Sequence, residues 1–383
     1  MLQGRGLALA LLPGLALAAL TPPGLGCNGR GKDASETAAT SETAGETAGS
    51  TSVASSTEGG TESGTETATE TTGEACPGAT PAAIMACVEE PRYVTDLEFI
   101  AAVRTPGSPH WQAVQDLCAD RLAELGYEVE LHDYGTGVNV LGTRQGSSAD
   151  AERVLVGAHY DHIAGCTGAD DNATGVAGVL EIARVLAEVT TPHTLVIACW
   201  DEEELGLVGS KAYVAENTAA IAMGTAAPFR AVYAYDMIGV KSDEPDTQTF
   251  PMGFDLLFPE EYAKLEANQF RADFLFWVSD DTMEPDGAAL AGLAATIGLP
   301  VIGASLTDDF KKSDLLADLR RSDHAGFWDA DIPAMFLTDT SEFRYPSYHC
   351  MDGGDDSLDK LNYGFAAQVV RATAGGVAVS LGL

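Results

Sequence analysis

A three-layer α/β/α sandwich, in which helices cover both faces of a central, mostly parallel sheet, is the fold this sequence predicts. Three observations carry that expectation. Short continuous apolar runs recur along the chain, VLVGAHY (154–160), TLVIACW (194–200), AVYAYDM (231–237) and PAMFLTD (333–339), as central strands covered on both faces require. Apolar residues at helical spacing fill the intervals between some of them. Reactive polar side chains cluster at the ends of the same runs, where an open α/β sheet forms its ligand crevice.

The chain opens with MLQGRGLALALLPGLALAALTPPGLGC, one basic residue followed by an apolar run from Leu7 to Leu20. That is the layout of a secretory signal, because the run is too short for a membrane span of ~20 residues and Pro13 interrupts it. Gly24-Leu25-Gly26-Cys27 resembles a bacterial lipoprotein box, so residues 1–27 are expected to direct export and to end in a lipid anchor on Cys27. Plain secretion is the alternative. Residues 28–76 are expected to be a linker: apart from Lys32 and Asp33, the chain from Gly31 to Ala75 is Thr, Ser, Glu, Gly and Ala, with Val53 as its one larger aliphatic side chain, and it cannot bury a core. As a flexible coil it would reach on the order of 35–40 Å. No second linker follows, so residues 77–383 are read as one domain.

The 57 acidic and 21 basic residues give a formal charge of −36, which excludes a binder of nucleic acid by phosphate neutralisation. Residues 28–75 hold nine acids and two bases, so most of the negative charge belongs to the folded part.

Within that part, Ser108 and Pro109 form an N-cap and first-turn pair. Trp111, Val114, Leu117, Cys118, Leu122 and Leu125 then recur at helical spacing until Gly126, predicting a helix over about 109–125. EVELHDY and GVNVLGT alternate as paired strands do. The segment 175–189 places Val176, Val179, Leu180, Ala183 and Leu186 on one face and predicts the crossover helix between the first two buried strands.

His159 ends the first apolar run and Asp236 the third, Glu203 and Glu204 follow the second, and His349 follows the fourth. In GAHYDH, His159 and Asp161 are two apart at a strand end and point to one side, so the carboxylate can hold the imidazole. GADDNATG (168–175) puts Asp170 and Asp171 in a Gly-flanked turn, and DEEELG (201–206) puts four acids directly after a buried strand. Either acidic group alone would be an ordinary helix cap. Together they create a repulsion that a cation would relieve, and the mix of imidazole and carboxylate suits zinc.

The ordered set GAHYDH, GADDNATG, DEEELGLVGS, YDMIG, SDHAGF and YH resembles the di-zinc aminopeptidases of peptidase clan MH, family twenty-eight of the metallopeptidases, over roughly residues 104–365. The resemblance implies a mixed central sheet of the zinc-dependent exopeptidase type and two zinc ions per chain. His159 and Asp236 would hold one ion, Glu204 and His349 the other, and Asp171 would bridge them. Glu203 would be the general base in peptide hydrolysis and Tyr348 would stabilise the oxyanion. Asp161, His162, Asp170, Asp323 and His324 would lie in the pocket or behind the ligands, with Glu202 peripheral. The family pattern YHxxxD has an acid four residues after its His; here Asp352 is three residues on and Asp356 seven. Residues 241–321 match little of the pattern.

Peptides are the expected substrates, with the membrane contacted only through the N-terminal anchor. The rival readings are a glutaminyl-peptide cyclase using one zinc, a carboxypeptidase, and a non-catalytic binding module. Complete retention of the ligand set argues against the first and last. Of the seven cysteines, Cys166 and Cys350 are expected at the crevice and bridged, Cys199 is expected as a buried free thiol, and Cys76, Cys87 and Cys118 are left without an assigned pairing.

Overall fold

The four apolar runs become the middle of one eight-stranded sheet in the computed structural model, which describes Cys76 and residues 78–383. The strands are β1 (Glu128–Asp133), β2 (Val138–Arg144), β3 (Arg153–His159), β4 (Thr194–Trp200), β5 (Phe229–Tyr235), β6 (Leu275–Asp280), β7 (Val301–Leu306) and β8 (Ala334–Thr338). Their order across the sheet is β1-β2-β4-β3-β5-β8-β6-β7. The central four, β4, β3, β5 and β8, run parallel. The hairpin of β1 and β2 adds antiparallel on one side, and β6 with its parallel partner β7 adds antiparallel on the other, so the sheet is mixed.

Side chains alternate between two cores, as the pleat requires. In β4, Leu195, Ile197 and Cys199 enter one core, while Val196, Ala198 and Trp200 enter the other. The first core is closed by helices Pro81–Ala86, Glu90–Ile100, Pro109–Glu124, Gly175–Leu186, Glu284–Thr296 and Tyr363–Ser380. The second is closed by Val208–Ala222, Phe254–Leu257, Pro259–Ala267 and His324–Asp329. Three layers result, as the sequence predicts.

The helix predicted over 109–125 runs from Pro109 to Glu124; the Ser108 side chain accepts a hydrogen bond from Trp111 N–H at its start, and Gly126 follows with φ +76°. The crossover helix ends at Leu186, three residues before the expected end. Strands β6 and β7 have no counterpart in the sequence reading, because they fall in the unmatched stretch. β6 is short and flanked by acids, and β7 is interrupted by Gly303. That glycine has a packing reason: it pairs with Trp277 across the two strands, and a Cβ there would collide with the indole.

Disulfides join Cys166 to Cys350, as expected, and Cys76 to Cys87, while Cys118 and Cys199 are buried free thiols. The expected signal segment and the expected linker up to residue 75 lie outside the described residues. Among the described residues no helix is long and apolar enough to cross a membrane.

Candidate metal centre

Because β3, β4, β5 and β8 run in the same direction, their carboxyl ends deliver side chains from four distant parts of the chain to one edge. β3 ends on His159; β4 runs directly into Asp201–Glu204; β5 is followed at once by Asp236; and the segment after β8 carries Tyr348 and His349 in a short helical turn. Asp171 comes from a kinked turn, Ala169–Thr174, that leads into the crossover helix and in which the Asp171 backbone is itself non-helical (φ −99°, ψ 95°).

Asp171 lies between the two groups. Its Oδ1 is 3.3 Å from His159 Nε2, and its Oδ2 is 3.2 Å from His349 Nε2. His159 Nε2 is also 3.8 Å from Asp236 Oδ1, and His349 Nε2 is 3.3 Å from Glu204 Oε2. His162 adds a further imidazole, with Nδ1 2.7 Å from Glu204 Oε1. Two overlapping donor clusters stand out, His159–Asp171–Asp236 and His162–Asp171–Glu204, both sharing Asp171. All five residues expected to bind metal are therefore together.

The residues behind them fix their geometry. Asp161 contributes twice: its main-chain oxygen lies 3.2 Å from His159 Nδ1, and its carboxylate accepts hydrogen bonds from the backbone N–H groups of Glu203 (3.0 Å) and Glu204 (3.3 Å). It thus orients an imidazole on β3 and the acidic turn after β4 with one side chain. Glu202 accepts a hydrogen bond from Thr136. Asp170 does not face the donor clusters; its Oδ1 accepts from Gly239 N–H and Thr174 Oγ1, so it supports the turn that presents Asp171. His324 donates from Nε2 to the Leu319 carbonyl and stacks on Phe336, which puts it beneath a pocket wall. Asp323 is buried with no hydrogen-bond partner for either oxygen.

Three contributors were not singled out in the sequence. Arg104, fully buried, donates to the carbonyls of Tyr160, Thr167 and Asp171. Asp356 accepts from the backbone N–H groups of Asp170 and Asp171. Arg321 Nη2 donates to Tyr348 Oη at 2.7 Å. Arg104 does open the RTPGSP stretch where the family resemblance begins, and Asp356 is the later of the two acids after His349, but nothing in sequence position tells a buried support from a surface charge.

Charge in the centre follows from burial and proximity. Burial pushes the Glu203 carboxyl well above its ordinary range, with Asp236 and Asp323 adding to the rise against the pull of His159. Burial likewise pushes Asp323 up to about 7. Asp171 behaves oppositely: burial would raise it, yet His159, His162 and His349 hold it well below the carboxylate range. Burial opposes a proton on His349, but Asp171 and Glu204 raise it to about 10. Burial pushes the Tyr348 phenol up, which keeps its proton in place at neutral pH.

These residues fit a metal. His159 Nε2, both nitrogens of His162 and Glu204 Oε1 are buried without a conventional hydrogen bond, and the carboxylates of Asp171, Glu203, Glu204 and Asp236 repel one another across the cluster. Imidazole and carboxylate donors so arranged are the ligand chemistry of zinc. Beside them, Asp236 and Tyr348 line a pocket together with Phe250, Phe254, Phe276 and Phe336.

Residues 139–375 match the profile of Peptidase family M28. Uncharacterized protein YfbL of Escherichia coli is 30% identical over 232 residues, 58% of this chain and 65% of that protein. Probable lipoprotein aminopeptidase LpqL of Mycobacterium tuberculosis is 44% identical over 75 residues, 19% of this chain and 14% of that protein. Each alignment spans less than two thirds of the relative's length. Among solved structures, the LapA aminopeptidase of Legionella pneumophila superposes with a TM-score of 0.58 at 18% identity, covering 79% of this chain and 74% of that one, which is a likeness of fold.

Proposed function

From the premise that this chain belongs to peptidase family M28, we propose that it is a zinc-dependent exopeptidase, an aminopeptidase that removes N-terminal residues from peptides. The observation that carries this reading is Asp171, whose two oxygens face His159 on one side and His349 on the other. A carboxylate so placed can bridge two cations, with His159 and Asp236 completing one site and Glu204 and His349 the other. Residues 77–383 are the catalytic domain in this reading.

Zinc, when bound, supplies an activated water and polarises the scissile carbonyl. The chain's own groups do the rest. Glu203, whose buried carboxyl binds a proton more readily than an exposed one, takes the proton of the attacking water and returns it to the leaving amine. Asp161 keeps Glu203 in place through its backbone N–H. Arg321 donates to the Tyr348 oxygen, so the phenolic proton is free to point at the developing oxyanion. The aromatic pocket beside Asp236 receives an apolar side chain, with phenylalanine and leucine favoured over charged residues.

Glutaminyl cyclisation with one zinc has no use for His159 and Asp236 in addition to the other ligands. A binding module that had lost catalysis would not need Glu203 buried and braced. Carboxypeptidase action would require a group reading a free carboxylate, and Arg321 is already engaged with Tyr348 and Glu342.

We also place the protein outside the cytoplasm, attached through a lipid on Cys27. The two disulfides and the lipoprotein relative support that assignment. Detergent partitioning of the native protein against a Cys27→Ser form tests the anchor, and an unchanged aqueous fraction would sink it. The activity is tested with phenylalanyl, leucyl and glutamyl anilides beside an N-acetylated phenylalanyl anilide. Cleavage of the free-amine apolar substrates is expected; equal cleavage of the acetylated one would remove the aminopeptidase assignment.

A further inference from the structure

His162 stands outside the five-residue set that the family resemblance assigns to metal, yet the fold puts its imidazole inside the centre. The side chain is completely buried. Its Nδ1 lies 2.7 Å from Glu204 Oε1 and 4.0 Å from Asp171 Oδ1, and one donor atom from each of the three residues lies within 4.8 Å of the other two. Apart from that approach to the two carboxylates, neither ring nitrogen has a hydrogen-bond partner. The buried histidines away from the centre each have at least one ring nitrogen satisfied: His132 meets Glu216 and Asn139, and His324 meets the Leu319 carbonyl through Nε2 while its Nδ1 is unpartnered. Leaving a buried polar nitrogen unpaired is destabilising.

The ring is also held where it is. The backbone N–H of His162 donates to the Arg104 carbonyl, and the Arg104 side chain in turn grips the carbonyls of Tyr160, Thr167 and Asp171. Gly168, at φ +61°, lies so close that a Cβ there would run into the imidazole. His349 stands edge-on to it, with ring centroids 6.0 Å apart. An imidazole confined between two carboxylates, with no other partner, is placed as a ligand.

We propose that His162 is a metal ligand, its Nδ1 joining Glu204 and Asp171 on one cation, so that the centre carries one imidazole more than the five-residue set provides. The proposal rests on the reading that this cluster holds metal. The cation is of the class that accepts nitrogen, such as zinc or cobalt, rather than calcium or magnesium.

The test uses the full chain stripped of metal and reloaded with Co²⁺, as wild type, His162→Ser and His162→Gln. Thermal unfolding of the metal-free proteins verifies that the variants fold, and the glutamine form keeps most of the side-chain volume. Affinity is read by competition with a chromophoric chelator, coordination by visible absorption, and imidazole number by X-ray absorption. We expect one cobalt to bind more weakly by more than the roughly 10–100-fold that loss of an outer supporting residue costs, with altered cobalt bands and one imidazole fewer. Unchanged affinity and spectrum would overturn the proposal. So would weaker binding with an unchanged imidazole number, which would make His162 a residue that only orients Glu204. A wild-type chain that binds no cobalt overturns both this proposal and the reading beneath it; two cobalts in wild type and in both variants, with identical spectra, overturn this proposal alone.

Discussion

Asp356 holds Asp171 by its main chain: the Asp356 Oδ2 accepts the Asp171 N–H at 3.0 Å. The same carboxylate takes the Asp170 N–H at 2.9 Å, and Tyr345 Oη donates to it at 3.0 Å. Arg104 donates to the Asp171 carbonyl. The residue that faces both histidine sites is therefore held at its backbone N–H and at its carbonyl.

If that clamp positions the shared carboxylate, Asp356→Ala weakens zinc retention by roughly 10–100-fold, the usual effect of losing an outer support. Competition with a chelator measures it. Wild-type affinity in the variant would show that Asp171 is set by the local turn alone.

Glu203 is assigned to proton transfer and not to metal. Glu203→Ala should keep its full metal content by elemental analysis and lose ~100-fold or more in turnover. Loss of metal in this variant would exchange the roles of Glu203 and Glu204.

The Cys166–Cys350 disulfide joins the loop after β3 to the residue beside His349. His349 and Cys350 both adopt left-handed backbone, at φ +54° and +51°, a conformation that costs non-glycine residues about 1–3 kcal/mol and persists where the surroundings impose it. Replacing both cysteines by serine should therefore lower metal occupancy on the His349 side more than on the His159 side. Equal occupancy in the double variant would show that the loop needs no crosslink.

The central strands, the crossover helix and the clustering of His159, Asp171, Glu204, Asp236 and His349 were legible because each has a local signature. A buried parallel strand is a continuous apolar run, and most of the clustered residues fall near where such runs end. Strands β6 and β7 were not legible for a reason of the same kind: β7 relies on Gly303, which looks like a turn residue until Trp277 is seen to fill its space. The roles of Arg104, Asp356 and Arg321 depend on what lies across the fold from them. Asp170 illustrates the limit most directly. It sits next to Asp171 in the same motif, yet the turn sends its side chain to Gly239 and Thr174.

His324 makes the pH dependence of stability testable away from the metal. It is buried, and burial lowers its pKa to about 3 from an ordinary value near 6.5. The unfolded chain therefore binds more protons between those values, and stability is fully present above about pH 6.5 and lost as pH falls toward 3, by up to about 1.4 kcal/mol per pH unit. His324→Phe, which can stack in the same place, should flatten the decline of melting temperature between pH 7 and pH 4. An unchanged slope would mean that another group controls acid unfolding.

The most direct test of the two-site account is the zinc content of the full chain after equilibration with buffered zinc, compared with an Asp171→Ala variant. Two zinc ions per chain are expected in the wild type and a marked loss in the variant, because both sites share that carboxylate. One zinc per chain in the wild type, or two in Asp171→Ala, would contradict the two-site account.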